Sequence, residues 1–402
     1  MSRKPFPVVL GIIALDAVGI GLVLPFLPTL LRSVLHVDDM RWHYGAFLSL
    51  YALLQFLCAP ILGALSDRYG RRPVLLLSLT GAVVNYAFMA VAPSFGWLLV
   101  GRAVGGLTAA NASVAAAYLT DITPESGRAR TFGYLSAAFG VGFIVGPAMG
   151  GLLVGWSLRA PFIAGAILNA LNLLATAVFL DETHHAEPRP FDPAVFHPLA
   201  PLRWAFRFPE VLSLLLAYAV MALIGEVGGT VWVLYGQDKF HWDGIAVGLS
   251  LAGFGVFHAL AQAFVAGPVS ERWGERTALL IGIICDGAAY IAIAFATKGW
   301  FVIVLYPFFC VGGIGAPALQ SLLTAEVDAD RQGELQGVMT SVTSLASVIG
   351  PLVISQAYFA SRTTFPGLVW LAGAALYVLC LPVLRKRGKT ATELSSPSAS
   401  SA

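Results

Sequence analysis

Five ionisable residues stand inside long apolar stretches of the sequence: Asp16, Arg102, Glu226, His258 and Asp286. In hydrocarbon each costs roughly 2.5–3.5 kcal/mol on insertion scales, so each needs a partner or a use. One arginine cannot neutralise three carboxylates by pairing. The rest must be hydrated, bind a cation or carry a proton, and desolvation favours the neutral, protonated carboxyl group. Such a group can load a proton on one side of a membrane and lose it on the other when its surroundings change. Asp286, flanked by Cys285 and Gly287 with no cation near it in sequence, is the first candidate for that work. Asp16 lies among Val18, Gly19 and Gly21, where missing side chains let water or a ligand approach; it either attracts a cationic substrate or pairs with Arg102. His258 and Gln262 are four residues apart and share a helix face. A lone histidine there is as readily a packing residue as a relay.

The elements that carry these residues follow from composition. Of 402 residues, 57% are apolar, against 24 Lys and Arg and 22 Asp and Glu, with mean hydropathy +0.78. That leaves too few charges to cover soluble domains of this size. Apolar stretches fall near 6–31, 43–66, 73–93, 96–120, 132–155 and 160–180, then 209–235, 244–269, 276–297, 299–324, 334–360 and 365–384. Each approaches the roughly 20 residues a spanning helix needs. The expected fold is an all-α integral membrane protein with 12 transmembrane helices. Two pseudo-symmetric six-helix bundles, 1–183 and 208–386, are joined by a cytoplasmic linker at 184–207 and followed by a disordered cytoplasmic tail at 387–402. The first run is too long for the apolar region of a signal peptide. Net charge is only +2, which excludes a nucleic-acid groove. Cys58, Cys285, Cys310 and Cys380 lack metal-ligand spacing and read as core residues, so no resident metal or cofactor is expected. Nor is there a nucleophile elbow or phosphate loop to suggest an enzyme.

With the N-terminus inside, only Arg32, Arg41, Arg159, Lys239, Lys298 and Arg362 fall outside, and Arg102 lies within a span. The positive-inside rule therefore places both termini in the cytoplasm. The halves also repeat. Gly63-Ala-Leu-Ser66-Asp67-Arg68-Tyr-Gly70-Arg71-Arg72 returns as Gly267-Pro-Val-Ser270-Glu271-Arg272-Trp-Gly274-Glu275-Arg276, at the same offset by which Gly350-Pro351 follows Gly146-Pro147. Parallel repeats of six spans predict a site at the midplane between them.

These motifs are specific. Gly63 to Arg72 resembles the loop 2–3 signature of the major facilitator superfamily, and Gly142-Phe-Ile-Val-Gly146-Pro147-Ala-Met-Gly150-Gly151 resembles the fifth-helix motif of its drug/proton antiporters. Ala14 to Gly21, Tyr51 to Arg72 and His258 to Gln262 resemble the tetracycline-resistance efflux proteins of Gram-negative bacteria, and the likeness runs from about residue 8 to residue 387. The resemblance implies a major facilitator fold in the bacterial inner membrane, working as a monomer. It implies a proton-coupled antiporter exporting tetracycline, as a chelate with a divalent metal such as Mg²⁺ that belongs to the cargo. In this reading Asp286, His258, Asp16 and Glu226 handle protons, and Asp16, Gln55, Asn85, Arg102, Glu226 and Gln262 surround the drug. The sequence departs from the family pattern twice: Asn85 replaces an aspartate, and Glu226 replaces an uncharged amide. Glu226 is expected to take over part of the cation-attracting role. A major facilitator exporter of another drug or metabolite is the alternative.

The resemblance also implies a cytoplasmic gate of Ser66, Asp67, Arg71, Asp121 and Arg128, with Asp67 meeting cations and helix ends of the opposite half and with Asp121 and Arg128 supporting Arg71. Gly142, Gly146, Pro147, Gly150 and Gly151 form a small-residue face for close helix packing; by resemblance it seals the two halves. Thr340, Ser344 and Ser347 share one face of the eleventh span.

Overall fold

The computed structural model describes residues 5–183, 209–328 and 331–382, with residues 197, 199 and 202 between the halves. The expected linker at 184–207 lies almost wholly, and the expected tail at 387–402 entirely, outside the described residues. Among the described residues eleven helices are long and apolar enough to cross a membrane: α1 (Phe6–Leu35), α2 (Arg41–Tyr69), α3 (Arg71–Val91), α4 (Phe95–Ile122), α5 (Arg130–Val154), α6 (Ala160–Phe179), α7 (Val211–Phe240), α8 (Gly244–Trp273), α9 (Glu275–Phe295), α10 (Tyr306–Ala325) and α11 (Gln332–Ser361). The twelfth, α12 (Leu368–Cys380), is shorter over the described residues and carries a 3₁₀ turn at Tyr377–Cys380. Helices satisfy their backbone groups internally, which is what hydrocarbon demands. Large apolar side chains such as Leu152, Leu174 and Val178 remain exposed on the bundle's exterior, where lipid covers them.

Local chemistry sets the ends. The φ of Gly70 is +105° and that of Gly274 is +78°, and these two glycines end α2 and α8 at matching places in the two halves. Only glycine adopts this conformation at little cost. At the start of α8 the Asp243 side chain accepts from the Ala246 N–H at 2.8 Å, an N-cap that satisfies one of the helix's unpaired donors. Glu182 does the same for α3 from a distant point in sequence: its two oxygens accept from the N–H groups of Arg71 and Arg72 at 2.9 and 3.0 Å.

The halves pack through α2 on α11 and α5 on α8. Their contacts gather at the end opposite Gly70 and Gly274. There Arg32 pairs with Asp238 at 3.0 Å, the Tyr44 hydroxyl donates to Thr230 O at 3.0 Å, and Ser355 Oγ donates to Arg41 O at 2.9 Å. One buried cluster bridges the halves there, including Phe26, Leu30 and Phe47 with Val231, Leu234 and Tyr235. At the other end Gly63, Gly133, Gly140 and Gly267 have open space where a Cβ would stand. The molecule is sealed at one end and open at the end bearing loops 2–3 and 8–9.

Candidate functional site

Asp286 sits midway along α9, beside a break in α10. The tenth span is interrupted at Leu305 and again at Gly313–Ile314, where the N–H groups of both residues bond three residues back instead of four. A Cβ on Gly312 would overlap Asp286 Oδ1, so glycine is what lets the carboxylate lie against the α10 backbone. Its other oxygen, Oδ2, accepts from the Tyr377 hydroxyl of α12 at 2.5 Å.

Two cavities share this carboxylate. The larger, about 320 Å³, lies among α7 to α10 and is lined by Trp232, Phe254, His258, Tyr290 and Phe309, with Leu24 and Phe143 closing it from the first half. The smaller, about 200 Å³, lies nearer the open end and is bounded by Tyr218, Met221, Ala316, Thr343 and Tyr377. Gly225, Asp286 and Gly313 belong to both walls. His258 stacks on Phe254, ring centroids 5.7 Å apart, and approaches Gly313. Just beyond it α8 loosens into a π-helical turn at Gln262–Ala266, and Gln262 Nε2 donates to Gly313 O at 3.0 Å. Gln262 thus braces the α10 break, and it lines neither cavity. π-turns of this kind recur at functional sites.

The other intramembrane charges are placed separately. Glu226 on α7 accepts from Ser347 Oγ of α11 at 2.7 Å. Asp16 accepts from Asn111 Nδ2 at 3.0 Å, so its described bond comes from an amide and not from Arg102. Arg102 lies over the rings of Phe47 and Tyr51, 4.8 and 4.5 Å from their centroids, a cation–π arrangement that shelters its charge. Asn85 is 4% exposed and packs against Gly105, with its Oδ1 unpartnered; it reaches neither cavity. Gln55 is exposed on α2.

The gate residues make their described contacts within the first half. Arg71 Nε donates to Asp121 at 2.9 Å, and Nη1 donates to Ser66 Oγ at 3.0 Å and to Asp67 at 2.5 Å. Asp67 therefore meets a cation of its own half, not of the opposite one, because the open end separates the halves. Arg128 pairs with Glu125 at 3.6 Å and does not support Arg71. In the second half Glu275 stands in place of Arg71, and Ser270 Oγ donates to it at 2.9 Å, the same contact with its polarity reversed. The small-residue face of α5 divides too. A Cβ on Gly142, Gly146 or Gly150 would collide with the α1 backbone within the first half, whereas Gly151 and Pro147 meet Gly244 and Gly248 of α8 across the halves.

Sequence reasoning missed three groups. Tyr377 and Glu182 act through contacts distant in sequence. The sealed end is held by Asp238, which accepts from Arg32 and from the Tyr358 hydroxyl at 3.0 Å each and lies 3.7 Å from Arg362. Arg32 and Arg362 were legible only as cations on the less positive side of the membrane.

The sequence profile of the Major Facilitator Superfamily matches residues 9–351 and 214–401. The chain belongs to that superfamily. It is a multi-pass membrane transporter for small molecules, not an enzyme. Among curated relatives it is 51% identical to the class C tetracycline resistance protein of Escherichia coli, over 96% of this chain and 97% of that one. It is 48% identical to the class G tetracycline resistance protein of Vibrio anguillarum, over 96% and 98% respectively. Among solved structures it superposes on the nucleoside transporter NupG with a TM-score of 0.80, covering 95% of this chain and 100% of that one at 14% identity, a likeness of fold.

Proposed function

We propose that this transporter exports tetracycline from the cytoplasm in exchange for protons by alternating access. The observation that carries the reading is Asp286: an acid with a neutral hydrogen-bond donor, placed on the wall between two cavities, in a chain half identical to a tetracycline resistance protein. The protein works as a monomer in the bacterial cytoplasmic membrane with both termini inside. The open end then faces the cytoplasm, and the conformation described here is the one that admits drug.

The drug travels as a monocationic chelate with a divalent metal such as Mg²⁺, which is part of the substrate. Asp16 and Glu226 attract that charge. Each is hydrogen-bonded by a neutral group, so its described bond does not pair it with a protein cation that would compete with the drug. Asp286 releases its proton inward before or as the drug binds. The molecule reverses, drug leaves outward, and Asp286 is reprotonated from the outside, with His258 on the shared cavity wall as the relay. One positive charge exchanged for one proton moves no net charge. The pH difference alone drives the cycle, by about 1.4 kcal/mol per unit.

Everted membrane vesicles test this directly. Tetracycline added to energised vesicles should release protons from the lumen, and Asp286→Asn should abolish that release. Release that persists in Asp286→Asn removes the assigned carrier. Asn85 and Glu226, which depart from the pattern of the tetracycline pumps, favour a second reading in which another drug is the cargo. Resistance of an efflux-deficient bacterium to phenicols or quinolones, with none to tetracyclines, would establish it.

A further inference from the structure

To exchange a proton for drug, Asp286 must give that proton up on the cytoplasmic side. The carboxylate is held between two surfaces of different kind. Oδ1 lies against Gly312 of the broken α10, and Oδ2 accepts from the Tyr377 phenol. Tyr377 is 5% exposed and opens the 3₁₀ turn of α12, and its ring lies near Gly287, the neighbour of Asp286, where a Cβ would make ordinary contact with Cδ2 at 3.8 Å. The phenol also lines the smaller cavity, together with Tyr218 and Thr343. That cavity lies on the cytoplasmic side of the carboxylate. The aromatic cavity, on the far side, is the one that holds His258.

We propose that Tyr377 is a positioning residue for proton release: its hydroxyl stabilises the ionised form of Asp286 while the transporter faces the cytoplasm, and the proton departs through the smaller cavity. The inference rests on Asp286 being the carrier. A phenol that donates to a carboxylate favours the charged form of that carboxylate. Among the described residues no cation is hydrogen-bonded to Asp286. The other titratable groups around Asp286 are Cys285 and Tyr290 on α9, His258 on α8, Cys310 on α10 and Tyr218 on α7, and Tyr377 gives the carboxylate its described hydrogen bond. Because Tyr377 begins a 3₁₀ turn, a small change in the winding of α12 withdraws the hydroxyl. Asp286 then holds a proton more firmly, as it must when loading from the outside.

The sign of the effect is testable. In Tyr377→Phe the carboxylate loses its donor, keeps its proton longer, and needs a higher cytoplasmic pH to release it. In everted vesicles, where the bath is the cytoplasmic side, the pH at half-maximal drug-driven proton release should rise by about one unit, a roughly tenfold change in proton affinity. The KM for tetracycline should stay within about twofold. An unshifted pH profile overturns the proposal, as does a fall in rate at every pH with an altered KM. Infrared titration of the wild-type protein supplies a second readout that does not depend on the variant folding. The C–O stretch of one tyrosine should move as a carboxyl group ionises, and Asp286→Asn should remove that coupled change. No tyrosine change on titration also overturns the proposal. Proton release surviving in Asp286→Asn would instead sink the parent reading, so the two failures are separable.

Discussion

Replacing Asp238 by asparagine should open the sealed end. The carboxylate accepts from Arg32 of the first half and from Tyr358, and it lies 3.7 Å from Arg362; Arg32, Asp238 and Arg362 are 27%, 22% and 20% exposed in their side chains. A hydrogen bond to a buried charged group contributes roughly 1.5–3 kcal/mol, and an exposed ion pair roughly 0–1 kcal/mol. This partly screened cluster falls between, at about 1–2 kcal/mol. The Arg32 contact forms only while this end is closed. Its loss therefore shifts the equilibrium between the two end states by a factor of about 5–30. Spin labels at the exposed Val37 and Trp300 read the sealed end, and labels at Tyr69 and Trp273 read the open one. In Asp238→Asn the first distance distribution should gain a long component and the second a short one. Arg32→Gln should reproduce the change, and the double variant should add little to either single one, because they remove the same contact. Distributions identical to wild type in both variants would refute the latch. Two separate shifts that sum in the double variant would refute the pairing.

Four further outcomes follow from the geometry. Glu226→Gln keeps the shape of the side chain but removes its charge, and it should abolish tetracycline transport; Ser347→Ala should reduce it only severalfold, and unaltered transport in Glu226→Gln eliminates the cation role. Gly146→Ala places a Cβ 2.6 Å from Val18 O and 2.8 Å from Leu22 N, both backbone atoms, and should destabilise the first half by about 1–3 kcal/mol in thermal denaturation. Gly151→Ala meets Gly244 O at 2.9 Å across the halves, so it should leave melting nearly unchanged and favour opening of the sealed end in the same spin-label assay. Arg71→Lys keeps the charge but loses the fork that reaches Ser66, Asp67 and Asp121 together. It should lower the melting temperature of the protein more than Arg128→Lys does, and equal shifts would contradict the asymmetry seen here.

How far the sequence foretold this structure depends on what each feature requires. The spans were legible because a stretch of apolar residues has few alternatives in lipid, and the halves because the Gly63–Arg72 block repeats. Within the described residues the twelfth span carries a 3₁₀ turn at Tyr377, which changes the winding of the helix without changing its hydropathy, so the apolar run could not announce it. Asp286, Glu226 and Asp16 were visible by cost alone. Their partners were not. Asn111, Ser347 and Tyr377 are ordinary polar residues of apolar helices, and only the packing register brings them to a carboxylate. The contacts of the gate residues were hidden for a related reason: loop residues that could meet either half meet their own when that end of the molecule is open.

The partners so revealed bear on why a proton and a drug can compete in this protein. Each intramembrane carboxylate takes its described bond from a neutral donor: an amide for Asp16, an alcohol for Glu226, a phenol for Asp286. Arg102, which could have neutralised one of them, rests on aromatic faces instead. A buried arginine–carboxylate pair would satisfy the acid in every conformation and fix its charge, because breaking such a pair costs several kcal/mol. A single neutral donor stabilises the acid less and leaves its charge uncompensated. The group is then held poised, and a proton or a cationic cargo can each supply what is missing. On this argument an arginine introduced beside any of the three, Ser347→Arg at Glu226 for example, should silence transport by holding the carboxylate charged. Transport that persists in a folded Ser347→Arg protein would mean that the neutral donors serve packing and not exchange.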